Sequence, residues 1–465
     1  MATNTINENV EQAILDFGTI KQAIIDKGVE VPDGTPTSQY ATKIGEIQSG
    51  GGDDFKGFIE GTATEITLPS NTTKIRNRAF FYYANLTSVS IPNSVTSIGS
   101  STFENCKSLA LASLPEGLTS IGNSAFRGCT NLALTSLPEG ITSIENYTFQ
   151  NCTNLALTSL PEGITSIENY AFQNCKNITL TSLPSGITTI NNSTFYGCTN
   201  LALTSLPEGI TRIGSYGFYS CTNLTLTSLP SGLTSIGSDA FESCKSLALA
   251  SLPEGLTSIG NSAFSGCTNI TLTSLPDSVT SIGPFAFAWC TNLALTSLPS
   301  GITSLEYDTF IGCTNLALTS LPEGLTSIEF SAFQDCTNLA LTSLPEGITS
   351  ISSNIFDGCT SLALTSLPSG ITGKIGDQAF RYCKNITITS LPSGVTSLGD
   401  QAFRGCTSLT EITFEGKPNS ISSNAFYDCT NLTTIRVPWA EGEVAGAPWG
   451  ASSASIIYGY TPETT

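Results

Sequence analysis

The sequence predicts a solenoid of about 16 stacked coils, each of 23 residues with one short parallel β-strand and otherwise irregular, behind a small α-helical N-terminal module. Three observations predict it. A phenylalanine recurs at Phe80, Phe103, Phe126, Phe149, Phe172, Phe195, Phe218, Phe241, Phe264, Phe287, Phe310, Phe333, Phe356, Phe380, Phe403 and Phe426, and every interval is 23 except one of 24. The apolar positions are the same in every unit, F-x-x-C-x-x-L-x-L-x-S-L-P-x-G-I-T-x-I, so each stacks on its own copy above and below. Residues 1–49 carry no trace of this repeat.

In chain order, the first element is the helical module, 1–49. Ile6, Val10, Ala13, Phe17, Ile20 and Ile24 advance by alternating four- and three-residue steps, a stripe suited to a short bundle or coiled coil. Gly18 inside the stripe weakens an isolated helix, which argues for a partner that holds it. After the turn "KGVEVPDGTP", Thr35 caps and Pro36 opens a second helix with Tyr40, Ile44 and Ile47 on one face. Residues 50–60 are a glycine-rich linker.

The repeat occupies 61–438. Its run "LALTSL" is expected to supply the strand, stacking at about 4.8 Å between coils. "PEG" or "PSG" then turns the chain, since proline ends pairing and glycine permits a positive φ. The single 24-residue interval places an inserted residue at Gly373 or Lys374. Residues 439–465 leave the pattern and are expected to form a C-terminal cap, with Trp439 and Trp449 covering the last coil and "SASIIYGY" blunting its edge.

Composition narrows the function. The chain has no histidine, and with it lose the commonest general base and imidazole ligand. No carboxylate pair stands in a catalytic motif, so the reading assigns no catalytic residue, no cofactor and no metal, and the protein is not expected to be an enzyme. A net charge of -19 repels phosphate backbones and argues against nucleic acid as a partner. No apolar run approaches the ~20 residues of a membrane helix, so membrane insertion is not expected. "MATNTINENVEQAILDF" lacks the basic and apolar regions of a secretory signal.

Fifteen cysteines, Cys106 to Cys429, each follow the marker phenylalanine by three residues. A metal ladder would need clustered ligands, and stacked parallel Cβ vectors suit disulfides badly. The reading is a small apolar side chain filling one core row, reduced.

What varies lies in two windows flanking the marker phenylalanine. They hold Tyr147, Tyr170, Tyr196, Tyr216, Tyr219, Phe285, Trp289, Tyr307, Phe330 and Tyr382 among Asn, Asp, Glu and Ser. Rigid aromatics among short polar side chains suit a glycan or protein contact surface, and these ten are the candidate ligand-binding residues. Loop positions that drift because nothing packs on them are the alternative.

The repeat unit resembles the BspA-like class of leucine-rich repeat, most closely in "ANLTSVSIPNSVTSIGSSTF", "TSLTEITFEGKPNSISSNAF" and "TNLTTIRVPW". The interior "LALTSLP" moves one apolar residue from the fourth strand position to the third. The resemblance covers about Gly61 to Tyr460 and implies a leucine-rich-repeat solenoid that binds or adheres, as cell-surface and virion-associated members do. Separately, "AIIDKGVEVPDGTPTSQYATKIGEI" is similar to a short helical module of bacteriophage tail and fibre proteins. It implies that residues 1–49 attach to virion protein, with Val10, Phe17, Ile20, Ile24, Tyr40 and Ile44 as the attachment residues. The stripe also allows a homo-trimer. The combined expectation is a phage virion protein, made in the host cytoplasm, that binds a bacterial surface glycan or protein through its solenoid. A cell-surface adhesin of a bacterium or protist, or an intracellular scaffold, is the alternative.

Overall fold

The computed structural model describes residues 64–461. The helical module, with Val10, Phe17, Ile20, Ile24, Tyr40 and Ile44, and the linker at 50–60 lie outside the described residues. The described chain forms two compact units, one running to Ile210 with Ser220–Leu224, the other formed by Thr211–Tyr219 with Thr225 onward. Both are parallel solenoids of 23-residue coils.

The core of each unit is built in rows. In the first unit the rings of Phe80, Phe103, Phe126, Phe149, Phe172 and Phe195 lie one above another, with neighbouring centroids 5.1–5.7 Å apart and planes within 13° of parallel. The second unit repeats this from Phe218 to Phe426, at 5.1–5.7 Å. Every ring is sealed from water. Leucine and isoleucine rows, such as Leu132, Leu155 and Ile178, run beside them. A single coil could not bury these faces alone; its copies on either side do it.

The strand lies elsewhere than "LALTSL". Interior coils pair through a two-residue strand in "TSI", after the Pro-Gly turn, in register from one isoleucine to the next. Ile75 meets Ile98 and Ile98 meets Ile121; further on, Ile213, Ile236, Ile259 and Ile282 follow suit. In "LALTSL" an interior coil makes chiefly one backbone bond, such as Ala133 N–H to the Leu111 carbonyl at 3.2 Å. The spacing explains the correction. Leu132 and Leu134 point inward two residues apart, but the next inward residue, Leu137, is three further on. That sequence breaks the period of two a strand needs. Coils with a period-two run at this place do form strands there: Ser88–Ser90, Glu411–Phe414 and Thr434–Val437.

The inserted residue appears as a bulge between Gly373 and Lys374, where pairing with Val395 and Ser397 slips by one. Gly373 takes a φ of +83°, open to glycine at no steric cost.

After the last coil, Ser455–Tyr458 adds a parallel strand to Thr434–Val437. Trp439 and Trp449 are buried against each other and Phe414. The Trp449 carbonyl accepts the N–H of Phe426 at 3.0 Å, the place a following coil would take.

The cysteines do more than fill space. All fifteen are free and buried, and each donates its S–H to the carbonyl of the marker phenylalanine one coil back. Cys106 Sγ to Phe80 O is 2.9 Å and Cys267 Sγ to Phe241 O is 3.0 Å. That oxygen also receives a backbone N–H from its own coil, as Phe103 O does from Cys106, so both lone pairs are used. Burial pushes the Cys106 thiol up to about 12, and Cys152 is likewise raised.

Candidate binding surface

The variable windows form one edge of each coil, and its backbone dictates how side chains leave it. The N–H groups two residues before the marker phenylalanine, at it, and two after it donate to the next coil. Tyr147, Phe149 and Asn151 donate to the carbonyls of Asn169, Ala171 and Gln173 at 3.1, 2.9 and 2.7 Å. To aim alternate N–H groups the same way, the residues two before and two after the phenylalanine take left-handed backbone angles. At the position two after, this holds in every coil, from Tyr82 (φ 64°) to Asp428 (φ 58°).

Left-handed φ favours Gly and Asn and costs other residues roughly 1–2 kcal/mol. Gly, Asn, Asp and Ser fill most of these positions. Yet Tyr147, Tyr170, Tyr216, Phe285, Trp289 and Tyr382 occupy them, with φ of 56–60°. Tyr216, Phe285, Trp289 and Tyr382 are exposed as well, and aromatics set exposed where the backbone disfavours them are not explained by packing the coil.

In the first unit Tyr147 and Tyr170 stack at 4.7 Å, and the Arg127 guanidinium lies 5.6 Å from the Tyr147 ring. Tyr196 is half-buried in the same unit. In the second unit Tyr216 and Tyr219 meet at 5.9 Å, with Tyr216 exposed. Phe285, Tyr307 and Phe330 make a three-coil cluster, edge-on at 5.3 Å and then stacked at 5.0 Å. Trp289 is the most exposed of the ten at 52%. Tyr382 is flanked by Arg381 and Arg404, each 5.6 Å from its ring.

Several members of this edge escape a search of the middle coils for aromatics. Phe81 and Tyr82 form an exposed pair at 4.5 Å in the first described coil, with Arg78 over Phe81. Tyr427 is exposed and carries Arg404 at 5.1 Å. Their signal was present: each stands one or two residues after a marker phenylalanine, as Tyr219 and Trp289 do. Trp439 and Trp449, by contrast, are spent on the core.

The model of the "BspA type Leucine rich repeat region (6 copies)" matches residues 55–179, 165–294, 257–387 and 373–441. Among solved structures, a leucine-rich repeat protein from Bacteroides ovatus is similar at 26% identity, over 85% of this chain and 91% of its own, with a TM-score of 0.48. A leucine-rich cell surface protein from Faecalibacterium prausnitzii is similar at 24% identity, over 82% and 89%, with a TM-score of 0.35. A leucine-rich repeat protein from Eubacterium ventriosum is similar at 23% identity, over 78% and 90%, with a TM-score of 0.38. None of the curated proteins matches the chain.

Proposed function

The chain belongs to the BspA-type leucine-rich repeat family, and on that premise we propose that it is a non-enzymatic binding protein whose variable edge grips a bacterial surface glycan or protein. One observation carries the reading. Across coils that are otherwise near copies, large aromatics occupy left-handed positions where Gly or Asn would fold better, and four of them, Tyr216, Phe285, Trp289 and Tyr382, are exposed to solvent. Many such coils side by side make weak contacts in parallel, which is how a repeated edge gains avidity.

The finer part of the proposal is attachment to a phage particle through residues 1–49. It is supported by the sequence of residues 23–47 and by the stripe from Ile6 to Ile24. Peptide mass spectrometry on density-purified particles, beside washed envelopes and cytosol, tests it: stoichiometric recovery with the particles is expected. Recovery from envelopes alone would replace the virion reading with a cell-surface adhesin. The binding claim is tested on its own by host-cell adsorption of purified protein. Tyr216→Ala, Tyr219→Ala, Trp289→Ala and Tyr307→Ala are expected to weaken it; unchanged adsorption in all four would remove the edge as the binding surface.

A further inference from the structure

One coil of the first unit and one of the second are near duplicates. Residues 103–126 and 241–264 differ only in Asn105 against Ser243. The chain then diverges at once, to Arg127 in the first unit and Ser265 in the second.

In the first unit Arg127 joins two coils. Its Nη1 lies 3.4 Å from Glu104 Oε1, and its guanidinium carbon lies 5.6 Å from the centre of the Tyr147 ring. The second unit keeps both ends of this bridge, Glu242 for Glu104 and Phe285 for Tyr147, and has serine in place of the cation. The surrounding coils do not replace it, since no Lys or Arg stands between Lys245 and Lys374. Burial, and then the Asp239 carboxyl beside it, push Glu242 up to about 7.

The rings on this stretch are bare in the same sense. Phe81, Tyr147, Tyr382 and Tyr427 each carry an arginine of this chain at 5.1–5.6 Å. Among the described residues no arginine or lysine lies over Phe285, Trp289, Tyr307 or Phe330, and Phe285, Trp289 and Phe330 are exposed. Trp289 leans onto the coil that carries Tyr307: a Cβ on Gly312 would run into Cε3 and Cζ3 of the indole, as one on Gly405 would lie 2.7 Å from Tyr382 Cδ1.

A buried carboxylate completes the stretch. The described residues bury two, Asp357 at 2% exposure and Asp308 at 9%. Arg381 holds Asp357 with both arms. Asp308 spends its backbone on Phe330 O at 3.2 Å and Ile311 N at 3.3 Å, and among the described residues its carboxylate has no hydrogen bond or ion pair. Burial alone raises it. Its neighbours are aromatic: Tyr307 precedes it, Phe330 accepts its N–H, and Phe285 holds its place in the preceding coil. An unpaired buried charge is costly, and Asn would suit its left-handed backbone (φ 55°) as well.

The geometry points to a site for an organic cation, an alkylammonium or guanidinium group of the binding partner, set between Glu242 and the Phe285 ring where Arg127 stands in the first unit, with Asp308 as a further counter-charge. This rests on the edge being the binding surface and names the chemistry of one part of it. A neutral or apolar group would satisfy the rings and leave the carboxylates unpaired. An anion would meet Glu242, Asp308 and their neighbours Asp239, Glu306 and Glu329. A metal ion needs a shell of oxygens that the rings do not supply, whereas an organic cation is attracted by ring faces and carboxylates alike.

The test is calorimetric titration of the full chain with choline, with its uncharged tert-butyl isostere, and with the amides of N-acetyl-lysine and N-acetyl-arginine. At least one cation should bind, and the isostere should bind roughly tenfold more weakly or worse. Preference for choline assigns the site to a headgroup, and preference for the amides to protein side chains. Glu242→Gln and Asp308→Asn should each weaken the cation roughly tenfold and leave the isostere unmoved. Ser265→Arg restores the bridge of the first unit, so it should fold normally and shut the cation out. No binding by any cation, equal binding of choline and its isostere, or full cation binding in both carboxylate variants overturns the inference. If host-cell adsorption nevertheless falls in Trp289→Ala and Tyr307→Ala, the binding edge stands and only the cation is wrong; if adsorption is unmoved as well, both fall.

Discussion

The Asp357 carboxylate takes both arms of the Arg381 guanidinium, Nε at 2.8 Å and Nη2 at 2.6 Å, with the Asp357 side chain 3% exposed. A two-pronged pair of this kind is specific in geometry, but its worth depends on neither charge being left alone. Arg381→Met should cost about 3–5 kcal/mol, because it strands a buried carboxylate. The double variant Asp357→Asn, Arg381→Met should recover most of that loss. Denaturant melts of the two variants measure the difference, and equal midpoints would show that the carboxylate is not stranded.

The thiol row predicts a chemical silence. With all fifteen cysteines buried, and thiols such as Cys152 and Cys267 pushed up by desolvation, the native protein should take up no iodoacetamide, and the unfolded protein fifteen equivalents. Cys267→Ala should cost about 1–2 kcal/mol, the sum of a lost donor to Phe241 O and a small void. Mass spectrometry of the labelled chain and a thermal melt read the two outcomes.

Two phenylalanines of one coil should behave oppositely. Phe287 is sealed in the core row, so Phe287→Ala should destabilise by about 3–5 kcal/mol. Phe285, two residues earlier, sits exposed at φ 56°, where Asn is at ease. Phe285→Asn should melt at or above the wild type while host-cell adsorption weakens. A large fall in its melting temperature would mean that the ring serves the fold.

Glu242 should tilt stability against pH. Burial, and then the neighbouring Asp239 carboxyl, push it up to about 7 from an ordinary 4.5. The folded chain therefore holds a proton that the unfolded chain releases. That contribution is full below about 4.5 and is lost as pH rises through about 7. Melting temperature should fall across this window, and Glu242→Gln should flatten the fall.

Much of this was legible because a solenoid writes its packing into its period. A row that stacks on itself must repeat, so the Phe80-to-Phe426 spacing located the core and, by subtraction, the edge. The strand was misplaced because "LALTSL" contains the right residue types; only the spacing of Leu132, Leu134 and Leu137 shows that the alternation fails. The thiol bond to Phe O was hidden, since a small apolar filler and a donor look alike in a sequence. Arg127 against Tyr147 and Arg404 against Tyr382 were hidden too, as each comes from a neighbouring coil. The glycine after Trp289 and after Tyr382 was readable by comparing coils two residues past the phenylalanine.

That last rule makes each coil a word whose neighbours are constrained. Trp289 demands a glycine after it, as Tyr382 does, whereas the phenylalanine, cysteine and leucine rows accept any copy in any order. Whole units can therefore be duplicated, lost or exchanged with the core indifferent to the change, provided the order along this single row stays grammatical. Reach and specificity are thus open to change by editing the number and sequence of units, with no new fold to be found at any step.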